Sequence, residues 1–189
     1  MPRKNKDYKK KGIIKDIEFD KDMTVVYEEG ILSIKGKKGE CKKELLSKGI
    51  KIEIKDNKII LESKKMNKRS KKILSSFEAH IKNLLKGSTE GHRYELKVCS
   101  GHFPMSISIN NDDFAIKNFL GEKIPRKLKI KEGATVKAEG DQIVVESSNK
   151  EIAGQVSADI ENLTRRPGYD SRIFQDGIYI VNKDGKEIK

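Results

Sequence analysis

Apolar and polar residues alternate along most of the chain, and twice the alternation gives way to a helical spacing. In Gly49–Ser63, GIKIEIKDNKIILES, isoleucines occupy every second position up to Asp56-Asn57, and an apolar run follows. Gly133–Ser147, GATVKAEGDQIVVES, repeats that pattern about Gly140-Asp141. Both read as hairpins, because the central residues tolerate positive φ. Beyond the first, Ile73, Phe77, Ile81 and Leu84 are spaced by four, four and three; beyond the second, Ile152, Val156, Ile160 and Leu163 are spaced identically. That spacing predicts two helices, each laying one apolar stripe over a small sheet. Ser148 and Glu151 suggest a capping box for the second helix. Gly87 and Pro167-Gly168 are the expected stops.

These elements form a duplication. Gly49/Gly133, Ile59/Ile143, Glu62/Glu146 and Ser63/Ser147 are identical at a constant offset of 84 residues. Upstream, Met23-Thr-Val-Val with Ile34-Lys35 and Gly39 corresponds to Met105-Ser-Ile-Ser with Ile116-Lys117 and Gly121, at an offset of 82. The predicted fold is α+β, two tandem duplicated domains, each a small mostly antiparallel sheet packed by one helix. The expected organisation is a basic flexible arm over 1–11, a first repeat over 12–87, a second over 88–168, and a C-terminal tail over 169–189.

Charge sharpens this picture. The 189 residues hold 41 Lys and Arg against 29 Asp and Glu, a net +12, with no Trp. Residues 1–15 carry seven cations against Asp7 alone, half of that net charge. Such a segment repels itself and buries no apolar area, hence the expected arm. Further runs are Lys64–Lys72 and Lys123–Lys131. Lysine runs are often only solvated faces, but three in a short chain point toward a polyanion such as RNA. The first fifteen residues lack a signal-peptide core, which argues against secretion. No run approaches the roughly twenty apolar residues of a membrane helix. Cys41 and Cys99 are too far apart for a zinc ribbon or redox pair, so both read as small buried hydrophobes in a reducing cytosol.

Catalytic patterns are missing. His80, His92 and His102 have no HxH, HxxxH or cysteine partner at ligand spacing, so no metal is expected. No GxSxG, Walker or dinucleotide-binding glycine motif occurs. Asn162-Leu163-Thr164 matches a glycosylation sequon but falls inside a predicted helix. No cofactor or small-molecule substrate is implied.

What remains is a basic, aromatic-bearing surface: Phe103-Pro104, Phe119–Arg126 and Arg165–Tyr179. Its Arg and Lys suit phosphates, Asn118 and Gln175 suit base edges or 2′-hydroxyls, and Tyr169 suits stacking. The plainer role for Phe103, Phe119, Phe174 and Tyr179 is to fill the small core. Arg165, Arg166 and Arg172 should point outward from a bent segment, although cations also complement a helix C-terminus.

Five motifs stand out, Gly87–Leu96 (GSTEGHRYEL), Ser100–Met105 (SGHFPM), Asn118–Lys123 (NFLGEK), Ala158–Asn162 (ADIEN) and Phe174–Tyr179 (FQDGIY), of which NFLGEK and FQDGIY are specific. Through them the chain, from about Ile13 to its end, resembles the large-subunit ribosomal protein six family in its archaeal and eukaryotic-cytosolic branch. The long lysine-rich arm departs from that pattern. The resemblance implies a non-enzymatic constituent of the large ribosomal subunit in the cytoplasm. It also implies binding to large-subunit rRNA near the sarcin–ricin loop and the base of the factor-binding stalk, beside neighbouring ribosomal proteins. The RNA-contact residues it implies are Asn118, Gly121, Lys123, Arg126 and Lys127 in the second repeat, and Arg165, Arg166, Gly168, Tyr169, Arg172, Gln175 and Gly177 toward the tail. A non-ribosomal RNA-binding module and, more remotely, a nucleic-acid enzyme are the alternatives.

Overall fold

The computed structural model describes residues 12–20, 22–64, 67–170 and 172–188; the basic arm over 1–11 lies outside them. The chain divides into two compact units, Met1–Thr89 and Glu90–Lys189. The fold is α+β, and each unit repeats one plan.

Unit 1 holds β1 (Ile13–Glu18), β2 (Thr24–Glu28), β3 (Ile31–Gly36), β4 (Gly39–Glu44), β5 (Ile50–Lys55), β6 (Lys58–Ser63) and helix α1 (Lys68–Thr89). They form antiparallel sheets of order β1-β6-β5 and β2-β3-β4. The predicted β5–β6 hairpin turns through Asp56 at φ 49°. Alternation buries Leu32, Ile34, Ile59 and Leu61, and α1 closes the core with Leu74, Ile81 and Leu84. Leu74 is fully buried, whereas Ile73, the residue the spacing selected, is half-buried. Glu78 on α1 pairs with Lys15 of β1 and Lys82, and the hydrogen bonds from those two ammonium groups hold its carboxyl at about 2.

Helix α1 does not stop at Gly87. It runs on to Thr89, where Ser88 and Thr89 hydroxyls donate back to the Leu85 carbonyl at 2.9 and 3.1 Å. The Lys38 N–H then satisfies the Ser88 carbonyl at 2.9 Å. This approach needs Gly36, since a Cβ there would lie 2.5 Å from that carbonyl oxygen. A side chain at 36 would push the hairpin off the helix end.

Unit 2 holds β7 (His92–Cys99), β8 (Ser106–Asn110), β9 (Asp113–Lys117), a 3-10 turn (Phe119–Gly121), β10 (Arg126–Lys129), β11 (Ala134–Glu139), β12 (Gln142–Ser147), helix α2 (Lys150–Leu163), β13 (Gly177–Lys183) and β14 (Lys186–Glu187). Its sheets are β10-β9-β8 and β11-β12-β7-β13-β14. The duplication is exact in register: Ile17 faces Ile59 across β1 and β6 as Leu96 faces Ile143 across β7 and β12. Unit 2 adds β13 on the free edge of β7, so residues 177–183, read from sequence as tail, form a strand of the sheet. Its Ile178 and Ile180 join the core around Leu96, Phe114, Val156 and Ile160. Helix α2 is capped by Asn149, not Ser148: its side chain accepts from the Glu151 N–H at 2.9 Å. Ser147 shows why. Its hydroxyl is engaged with the Gly133 carbonyl and the Asn149 N–H, which holds the chain extended one residue longer. Among the described residues, no helix is long and apolar enough to cross a membrane.

Candidate nucleic-acid interface

Three segments distant in sequence meet in unit 2: the loop after β7, the turn between β9 and β10, and the stretch between α2 and β13. The turn is the most constrained. Asn118, Leu120 and Gly121 have φ of 60°, 48° and 76°. The left-handed region costs a non-glycine residue of Leu120's kind about 1–2 kcal/mol. The turn is held by the Asn118 amide donating to the Pro104 carbonyl at 3.0 Å, the Glu122 N–H donating to the Phe119 carbonyl at 2.9 Å, and a Phe119 ring that is fully buried.

Arg126 locks this turn to α2. Its guanidinium forks onto Glu122 at 2.7 and 2.8 Å, donates to the Leu163 carbonyl at 2.6 Å, and lies 4.5 Å above the Phe119 ring. Hydrogen bonding to Arg126 lowers the Glu122 pKa, and the same bond raises that of Arg126. Arg166 approaches Glu122 at 3.7 Å and stacks 4.4 Å over Tyr169. Tyr169 meets Phe174 edge-on at 5.1 Å, and Phe174 meets the His102 ring at 5.1 Å. His102 Nδ1 lies 2.5 Å from Asp176, which also accepts the N–H groups of Gly101 and His102 at 2.7 and 2.9 Å. Burial would raise the Asp176 pKa, but these hydrogen bonds outweigh it and hold the carboxyl below the usual range. One network of rings and ion pairs therefore runs from Phe119 to Asp176.

The expected contact residues divide by what they already touch. Arg126 and Arg166 are half-buried members of the network, and Tyr169 is its exposed ring. Lys123, Lys127, Arg165 and Gln175 are exposed, with no side-chain partner among the described residues. Arg172 is exposed but forks onto Asp170 at 3.0 and 3.2 Å. Asn118 and Gly121 sit on the strained turn, and Gly168 (φ 85°) lies exposed in the bend after α2. Gly177 is buried. A Cβ there would meet the Tyr179 ring at 3.2 Å, so its lack of a side chain makes room for that ring. Phe119 is core, as the plainer reading held, but Phe103 and Tyr179 are exposed at 46% and 42%. They escape the core because its positions are already filled by strand residues such as Phe114 and Ile178.

Sequence reasoning missed Glu122, His102 and Asp176 as members of the site. Each lies inside a motif quoted above; for Glu122, an acid beside Lys123 and four residues before Arg126, the available signal was an acid among cations. His92 is also buried and bonded to Asp184 at 3.1 Å, far from any ligand role. Cys41 is buried and Cys99 half-buried; neither is disulfide-bonded. The described residues contain no group of three or more metal-ligating side chains.

The family model for ribosomal protein L6 matches residues 103–177, the span that holds the whole network except Gly101 and His102. The large ribosomal subunit protein uL6 of Methanococcus vannielii is 40% identical to the chain, covering 92% of it and 96% of the relative. The uL6 proteins of Saccharolobus solfataricus (42% identical, 89% of this chain and 94% of the relative) and Methanosarcina mazei (38%, 92% and 98%) are similar over the same extent. Most of the network lies where the family model matches, and the likeness extends across both units, so the chain belongs to the ribosomal protein L6 family.

Proposed function

We propose that this protein is a non-catalytic structural constituent of the large ribosomal subunit in the cytoplasm, and that unit 2 anchors it to large-subunit rRNA. The observation that carries this reading is a set of exposed cations of unit 2, Lys123, Lys127 and Arg165, that have no side-chain partner among the described residues, two of them flanking the constrained turn and the bend that holds the exposed Tyr169. Cations with no carboxylate to answer them are free to neutralise phosphates, releasing counterions and setting register. The bound region is the rRNA near the sarcin–ricin loop and the base of the factor-binding stalk, with neighbouring ribosomal proteins alongside. Asn118, Gly121, Arg126, Gly168, Tyr169, Gln175 and Gly177 contribute by shaping the surface or touching RNA directly.

Two experiments test the reading. The tagged protein should cosediment with the large subunit through a sucrose gradient and crosslink to that rRNA region; sedimentation only at the top of the gradient would count against it. In a salt series with an rRNA fragment, Lys123→Ala and Arg165→Ala should weaken binding and shallow the log–log slope by about one each, whereas Arg166→Ala and Arg172→Ala, whose guanidinium groups already answer Glu122 and Asp170, should change the slope less.

A further inference from the structure

A cleft of about 370 Å³ opens in unit 2 beside the ring network, and its lining is divided in character. Aromatic and aliphatic surface comes from Tyr169, Phe174, Tyr179 and Leu120, while Arg165 contributes a cation and Asn162 an amide. Neither Arg165 nor Asn162 has a side-chain partner among the described residues. The carboxylates of Glu161 and Asp176 also line the cleft. Glu161 already accepts the Ile180 N–H at 3.1 Å through one oxygen.

This combination selects a ligand. A phosphate is repelled by two carboxylates, and a purely apolar group would leave the second Glu161 oxygen without a donor, Asp176 being already supplied by Gly101 and His102. A planar group with N–H donors on its edge fits both the rings and the acceptors, and the cation suits an anion attached to that group. We propose that the cleft receives one unstacked nucleobase carrying an exocyclic amino group, its face on the aromatic wall, its edge at Asn162 and Glu161, and its phosphate toward Arg165. This deepens the RNA-binding reading and rests on it. An arginine side chain from a neighbouring protein shares the planar, donor-bearing character, but Arg165 and Arg166 disfavour a second cation at the same opening.

The test uses the full-length protein and two RNA probes of equal length and charge, a hairpin with an unpaired adenine-rich loop and a fully paired duplex. The hairpin should bind roughly 5- to 100-fold tighter, the span that stacking and edge contacts of one base support. Tyr169→Leu and Asn162→Ala should each remove most of that preference while leaving duplex affinity within about twofold. Asn162 is exposed, so its replacement leaves folding intact and keeps the test decisive if the tyrosine variant is unstable. Equal affinity of the wild type for both probes would overturn the base cleft and leave phosphate binding standing. Failure to bind either probe at moderate salt would overturn the RNA reading itself. Saturation by an arginine-containing peptide that is lost in Asn162→Ala, with no hairpin preference, would assign the cleft to a protein partner and overturn the proposal.

Discussion

Arg126 directs all three of its guanidinium nitrogens inward, to Glu122 and the Leu163 carbonyl, whereas its neighbour Lys127 faces solvent on the same strand. The period-2 alternation of β10 puts the two on opposite faces. Their replacements should therefore separate stability from binding. Arg126→Ala is expected to lower the stability of unit 2 by about 2 kcal/mol in urea unfolding, because it strands Glu122 and a carbonyl. Arg126→Lys should recover little, since an ammonium cannot fork. Lys127→Ala should leave unfolding within about 0.5 kcal/mol of wild type and shallow the salt dependence of RNA binding by about one phosphate contact. Asp176 carries a pH prediction. Its pKa is depressed in the folded state, so its contribution is present above the ordinary carboxylate value of 3.8 and fades as pH falls through the lower folded value. Acid titration followed by near-ultraviolet dichroism of the tyrosine and phenylalanine rings should hold to about pH 4 and decay below it, and Asp176→Asn should shrink that decay, leaving the part due to Glu122.

The helices show how element and packing interact. A helical spacing marks a stripe, but each turn offers two adjacent positions to the core, and only the sheet beneath selects between them. In α1 it takes Leu74, fully buried, over Ile73. Leu74→Ala should cost about 2–5 kcal/mol, with Ile73→Ala well below it, in paired denaturant curves. The helix ends follow the same rule. Gly87 fails to stop α1 because the two hydroxyl residues after it and the Lys38 N–H satisfy the last carbonyls, and Asn149 displaces Ser148 because Ser147 is already bonded. Local sequence names several capping residues in a row; tertiary partners choose one. Gly36→Ala should shift α1 at its C-terminal turn and destabilise unit 1 by about 1–3 kcal/mol, read as lost amide-exchange protection at Ser88 and Thr89.

Each unit of the whole molecule has its own buried cluster, one around Leu32, Ile59 and Ile81 and the other around Leu96, Phe114 and Ile160. A fragment spanning residues 90–189 should therefore fold alone, give a dispersed amide spectrum, and keep RNA affinity within about tenfold of the full chain at equal salt. The duplication, both hairpins, both helices and the sheet alternation were legible in the chain, because strand and helix periods depend on near neighbours and the 84-residue repeat states each twice. The L6 motifs were legible too, as strings. The network was not, because Glu122, Arg166, Phe174 and Asp176 become neighbours only when β13 pairs with the edge of β7 and brings the segment before it onto the 118–126 turn. Pairing of that kind is set by which edge remains unfilled, a property of the assembled sheet. The same holds for charge. Sequence shows how many cations there are, but whether one meets a carboxylate or the solvent depends on chain crossings far away, and that difference separates Arg126 from Lys127.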